Sequence, residues 1–142
     1  MSIRNAKAVW NGTLKEGNGK MNFSNYSGPY TFASRFEEGE GTNPEELVGA
    51  AQAGCYSMFL SALISGEGLT PKSIETTATV NLQKDDIGPN ITNIKLDSTV
   101  VCDGLAQDKF DELAAAAKEK CPISRLYAGG TAKIDLDAKL VG

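Results

Sequence analysis

The sequence contains no histidine. That absence excludes Ser-His-Asp and Cys-His catalysis, imidazole acid–base chemistry and any histidine-ligated metal. Chemistry here must run on cysteine, carboxylate, arginine, lysine or tyrosine. Excess positive charge is also missing. The 14 Lys+Arg against 18 Asp+Glu leave a net charge of −4, which is not the basic footprint of a nucleic-acid binder. The three cysteines, Cys55, Cys102 and Cys121, stand 47 and 19 residues apart, with no CxxC pair and no zinc-ligand spacing. Neither a metal nor a cofactor is expected. A long unbroken apolar run is lacking as well. Leu47–Ile64 is interrupted by Gln52 and Ser57 and is rich in Ala and Gly, so it reads as too short and too polar for a membrane span. The opening MSIRNAKAVW has no apolar signal core, so the expected location is the cytoplasm. Thiols stay reduced there, which disfavours a structural disulfide but leaves a transient, chemically used one open.

What is present fits one domain spanning residues 1–142, with 41% hydrophobic and 23% charged residues. A chain of this size buries enough surface to fold without staples. Short strands are predicted at Lys7–Trp10, ended by an Asn11-Gly12 hairpin turn, and at Lys20–Ser24 and Pro29–Ser34, separated by Asn25, Ser27 and Gly28. The acidic, glycine-bearing stretch Glu37–Thr42 reads as a loop. Asn43 is then a good helix N-cap, with Pro44 at the first position and Glu46 completing a box-like pattern. The helix continues to about Ser65 with almost no charge, so it is expected to be buried on most sides. Ile74–Gln83, Ile94–Cys102 and Thr131–Leu140 each alternate apolar with polar residues. Three strands with one wet face predict an antiparallel sheet. Gln107–Lys120 carries Phe110, Leu113, Ala114 and Ala117 at helical spacing and is broken by Cys121-Pro122. A short helix or turn over Ile123–Tyr127 closes at Gly129-Gly130. The fold class is α+β, with antiparallel sheets, a long buried central helix and a second, amphipathic helix.

Four residues stand out for chemistry, and each has a plainer reading. Cys55 sits mid-helix among Ala51, Gly54 and Met58, as a small core residue or as a nucleophile. Cys121 falls at a helix end beside Lys118 and Lys120. A thiol there is expected to be partly accessible and biased toward thiolate, or else is an incidental loop cysteine. Arg35 precedes the acidic loop, where Glu37 or Glu38 would make an ordinary surface ion pair. Glu45 is at the second helical position, where a carboxylate suits the helix dipole alone. Cys102 lies on an inward strand face and reads as core.

The run TFASRFEEGEGTNPEELVGAAQAGCYSMFLSALI, Thr31–Ile64, resembles the signature of the osmotically inducible protein C (OsmC) family, which is related to the organic hydroperoxide resistance (Ohr) proteins. The later CPIS, Cys121–Ser124, resembles that family's second cysteine motif, and the order of elements matches from about Ala6 to Leu140. Arg35-Phe36-Glu37 is closer to the OsmC branch. The resemblance implies a thiol-dependent peroxidase acting on alkyl hydroperoxides, and on hydrogen peroxide less well. In it Cys55 would be the peroxidatic thiol, Cys121 the resolving thiol, and Arg35 and Glu45 the activating pair. It also implies an intertwined homodimer with two sites at the subunit interface, reduced by a dithiol such as a lipoylated protein. Neither nucleic acid nor membrane enters the scheme. Two other readings use the same residues: a dithiol redox sensor with slow peroxide reactivity, and a structural dimer with inert thiols.

Helix geometry bears on the dimer. Glu45 and Cys55 are ten residues apart, which is about 15 Å along a continuous helix and roughly 80° around it. An arginine held by Glu45 is therefore expected to serve the Cys55 of the other subunit. Gly49, Ala50, Ala53 and Gly54 would let two such helices approach closely.

Overall fold

In the computed structural model, which describes residues 2–142, three strands open the chain. β1 (Lys7–Asn11), β2 (Asn18–Phe23) and β3 (Tyr26–Tyr30) form an antiparallel meander in the order β1-β2-β3. The β1–β2 connection is a loop rather than a two-residue turn at Asn11-Gly12. Gly12 adopts φ +92°, and the Trp10 indole N–H donates to its carbonyl at 3.1 Å. The β2–β3 turn falls on Ser24 and Asn25, with Ser24 at φ 48°, while Ser27 and Gly28 lie within β3.

The third strand stops at Tyr30, not at Ser34 as its pattern predicted. Thr31 and Ser34 cap each other: the Ser34 N–H donates to Thr31 Oγ1 at 3.1 Å and the Thr31 N–H to Ser34 Oγ at 2.8 Å. That reciprocal box starts the short helix α1 (Phe32–Phe36) and turns an expected strand end into a helical turn. Arg35 consequently sits in the last turn of α1. The acidic stretch after it is a loop, as expected. Asn43 ties that loop down by donating to the Ser34 carbonyl at 3.0 Å, and it starts helix α2 (Pro44–Gly66) by accepting the Glu46 N–H at 2.8 Å.

The chain divides into two compact units, Met1–Leu47 and Val48–Gly142, and α2 continues from the first into the second. In the second unit, Gln52, Tyr56, Leu60 and Ile64 form the fully buried stripe of α2, flanked by Val48, Cys55, Phe59 and Leu63. The expectation of burial on most sides is corrected. Ala50, Ala51, Gly54, Met58 and Ala62 face outward, with Met58 79% exposed. Contrary to the sequence expectation, α2 is neither too short nor too polar for a membrane span. The 23 residues of α2, with a mean hydropathy of 1.5 in their most apolar stretch, are long and apolar enough for a membrane span by composition alone. Its buried stripe is instead packed into a protein core.

That core lies against a second sheet of β4 (Ser73–Lys84), β5 (Pro89–Val101) and β6 (Lys133–Val141), in the order β4-β5-β6. β4 alternates as predicted, with Ile74, Thr76, Ala78, Val80 and Leu82 inward. Ile94, Leu96, Ser98 and Val100 of β5 are buried. β4 and β5 pair antiparallel, with a register shift at Asn81/Leu82. β6, however, runs parallel to β5, so the sheet is mixed rather than wholly antiparallel. The cause is the connection: α3 (Gln107–Lys120) and α4 (Pro122–Ala128) intervene, and a helical crossover returns the chain in the same direction. α3 buries Phe110, Leu113, Ala114 and Ala117, as its spacing predicted. At Gly49 an added Cβ would come within 3.0 Å of Val80 Cγ2, so glycine permits the close approach of α2 to β4.

Candidate active site

Cys121 occupies the junction of α3 and α4, and Pro122 at the first helical position fixes the bend. The sequence predicted a partly accessible thiol at this break. The structure buries it completely, at 0% exposure. The reason is that Cys121 is itself the N-cap of α4: its sulfur accepts the Ser124 N–H at 3.3 Å, which turns the side chain inward. The thiol in turn donates to Ser124 Oγ at 3.1 Å. Ser124 is also buried, and its oxygen accepts a further bond, 3.0 Å long, from Nε2 of the fully buried Gln52.

Cys55, half-buried on α2, is three residues after Gln52 and shares its core-facing side. Its thiol adjoins that of Cys121 and the backbone N–H of Ile123. Burial pushes the Cys55 thiol above its ordinary value, the Ile123 N–H pulls it back, and the neighbouring Cys121 adds to the upward push. All three cysteines are free thiols. Cys102 is buried just beyond the end of β5, as the core reading expected, with its sulfur 3.8 Å from the Asp103 carbonyl.

Arg35 and Glu45 form the second pair. The guanidinium Nε donates to both carboxylate oxygens at 3.1 and 3.2 Å, and Nη2 donates to Oε1 at 2.7 Å. The plain reading of Arg35 named Glu37 or Glu38 as its partner; the partner is Glu45, whose side chain is only 12% exposed. Arg35 also lies over the Phe36 ring, 5.0 Å from its centroid. It borders a cavity of about 390 Å³ lined by Trp10, Leu14, Tyr30 and Phe32 among others. Arg35 thus offers an always-charged planar fork beside that cavity, while Cys55 and Cys121 are two neighbouring thiols, one half-buried and one buried. Among the described residues no cluster of three or more Cys, Asp or Glu could hold a metal.

The structure thus joins Cys55 with Cys121 and Arg35 with Glu45. Sequence reasoning gave no role to Gln52 or Ser124. The available signal was a lone amide in an apolar helix, on the same helical face as a cysteine.

Comparison with known proteins decides the family. The model of the OsmC-like protein family matches residues 37–137. The chain belongs to the OsmC-like family. The Peroxiredoxin OsmC of Escherichia coli is 44% identical to this OsmC-like chain over 142 residues, covering 96% of each. An organic hydroperoxide resistance protein-like 2 of Staphylococcus epidermidis is 29% identical over 91 residues, covering 64% of this chain and 63% of its own. Among solved structures, an OsmC-like protein of Mycoplasma pneumoniae superposes with a TM-score of 0.80 over 99% of both chains at 15% identity, which speaks to the fold alone. The organic hydroperoxide resistance protein OhrB of Bacillus subtilis superposes with a TM-score of 0.66 over 96% of this chain and 98% of its own, at 25% identity. The α+β fold expected from the OsmC resemblance is the fold observed.

Proposed function

We propose that the protein is a cysteine-based peroxidase that reduces organic hydroperoxides, and hydrogen peroxide less efficiently. The observation that carries this reading is the pair of neighbouring free thiols, Cys121 in the core and Cys55 packed against it, in a chain 44% identical to a curated peroxiredoxin. The Cys55 thiolate attacks the terminal peroxide oxygen, the O–O bond breaks, and the alkoxide leaves as alcohol after taking a proton. Cys55 is left as a sulfenic acid. Cys121 then attacks the Cys55 sulfur: the S–O bond breaks, an S–S bond forms, and the oxygen departs as water with the Cys121 proton. A dithiol reductant, such as a lipoylated protein, restores both thiols. The disulfide protects Cys55 from irreversible over-oxidation.

Arg35 and Glu45 activate Cys55. Burial alone would leave this thiol neutral, and a guanidinium held by a carboxylate offsets that cost. From the rise of a continuous helix we assign each Arg35–Glu45 pair to the Cys55 of a second subunit, in a homodimer of two composite sites. The outward, uncharged face of α2 with Gly54 and Met58 supports such an assembly. Residues 1–142 act in it as one functional domain, in the cytoplasm and without a cofactor.

Steady-state consumption of cumene hydroperoxide, with dihydrolipoamide, dithiothreitol or thioredoxin as reductant, tests the reading. Dihydrolipoamide is expected to support turnover best. Failure of every dithiol to support consumption, with all three thiols demonstrably reduced, would overturn it.

A further inference from the structure

Gln52 is the one amide in the buried stripe of α2, where Tyr56, Leu60 and Ile64 are its companions. Its Nε2 donates to Ser124 Oγ, but its Oε1 finds no partner among the described residues. A buried acceptor left unpaired is costly, so packing alone does not explain an amide here. Its one bond leads directly to the Cys121 thiol, because Ser124 Oγ is also the atom to which that thiol donates.

We propose that Gln52 is a positioning residue for the resolving thiol, acting through the Ser124 hydroxyl. In the reduced protein, Ser124 Oγ accepts from both Gln52 and Cys121, at 3.0 and 3.1 Å. When the Cys121 S–H bond breaks, the developing thiolate needs donors. The Ser124 N–H already faces the sulfur at 3.3 Å. The Ser124 hydroxyl, freed of the S–H, turns its own proton toward the sulfur, while the Gln52 N–H still holds and polarises the oxygen. The hydroxyl thereby switches from acceptor to donor without moving its heavy atom. Gln52 and Cys55 share one face of α2, so the same helix presents the sulfenic acid and fixes the thiol that attacks it. The overall exchange is unchanged: the Cys55 S–O bond is replaced by S–S, and water leaves with the Cys121 proton.

This inference rests on the peroxidase reading, and its test separates the two. Rapid mixing with one equivalent of cumene hydroperoxide, followed by acid quench and mass spectrometry, resolves sulfenic acid formation from disulfide formation. Gln52→Met keeps the side-chain length and removes the donor. Its ratio of resolution rate to sulfenic-acid formation rate is expected to fall roughly tenfold, the scale of one lost hydrogen bond to a group gaining charge. The pH midpoint of the resolution step should move upward. Gln52→Glu serves as the second variant. It can donate only when protonated, so its resolution should slow further as pH rises through the carboxylate range. A merely structural role would lower stability without moving either pH profile. If wild-type protein forms disulfide and both variants resolve at its rate with its pH profile, the inference fails and the peroxidase reading stands. If wild-type Cys55 forms no sulfenic acid or disulfide, the peroxidase reading fails first.

Discussion

The Arg35–Glu45 pair can be tested as a unit by replacing each residue with glutamine, singly and together. Its geometry sets the expected size. Three donor–acceptor distances of 2.7–3.2 Å describe a fork-on-carboxylate pair, with side chains 34% and 12% exposed. A fully exposed pair contributes about 0.2–1 kcal/mol, and breaking a fully buried one costs about 3–5 kcal/mol. A pair with one largely buried member belongs between these, at a coupling of about 1.5 kcal/mol. Urea unfolding of wild type, Arg35→Gln, Glu45→Gln and the double variant closes the cycle. The kinetic cycle uses the second-order rate of Cys55 oxidation by cumene hydroperoxide. Each single variant should lose about tenfold or more, and the double should be no slower than the worse single, since the two act through one guanidinium. A coupling below about 0.3 kcal/mol, or rate losses that multiply in the double variant, would refute the clamp.

Three other outcomes are expected. Mixing inactive Cys55→Ser and Glu45→Ala chains under subunit exchange should restore up to about half the normal activity per heterodimer, since one site is then wild type throughout; no recovery despite proven exchange would place Glu45 within its own chain's site or outside the chemistry. Cys121→Ser should complete one stoichiometric turnover and leave Cys55 advancing to sulfinic and sulfonic acid by mass spectrometry, whereas Cys102→Ser should turn over nearly as wild type; the reverse pattern would reassign the resolving thiol. In an Arg35→Gln background, which lacks the offsetting guanidinium, burial holds the Cys55 thiol above its ordinary value, so the folded state favours its neutral form. That contribution to stability is present below the ordinary thiol value of about 8.5 and is lost as pH rises through the higher folded value, so adding Cys55→Ser to that background should give a shallower alkaline loss in urea titrations. Identical alkaline slopes would contradict it.

Much of the second sheet was legible because its strands are half-buried, and alternation reports that state directly. Ile74 to Leu82 point inward as read, and so do Ile94, Leu96 and Val100. Strand direction is a different matter: alternation looks the same either way, so β6 was read as antiparallel although the intervening α3 and α4 already implied a crossover. Over Pro29–Ser34 strand propensity is overridden from Thr31 onward, because the Thr31 and Ser34 side chains cap each other and start a helix. Helix α2 hid its orientation because it has no polar face. With no contrast around the helix, periodicity could not separate the Tyr56–Leu60 stripe from the outward Met58 side. At the site, Cys55 and Cys121 were visible as residue types, but the burial of Cys121 depends on its role as N-cap of α4. The Gln52–Ser124 bond spans 72 residues, a separation no local pattern encodes.

The central claim is that Cys55 and Cys121 of one chain are the working dithiol. Peptide mapping by mass spectrometry after one equivalent of cumene hydroperoxide, paired with a non-reducing gel, tests it most directly. The account predicts a Cys55–Cys121 disulfide within a monomer-sized band and Cys102 still free. A covalent dimer as the main product, or a disulfide that includes Cys102, would contradict it.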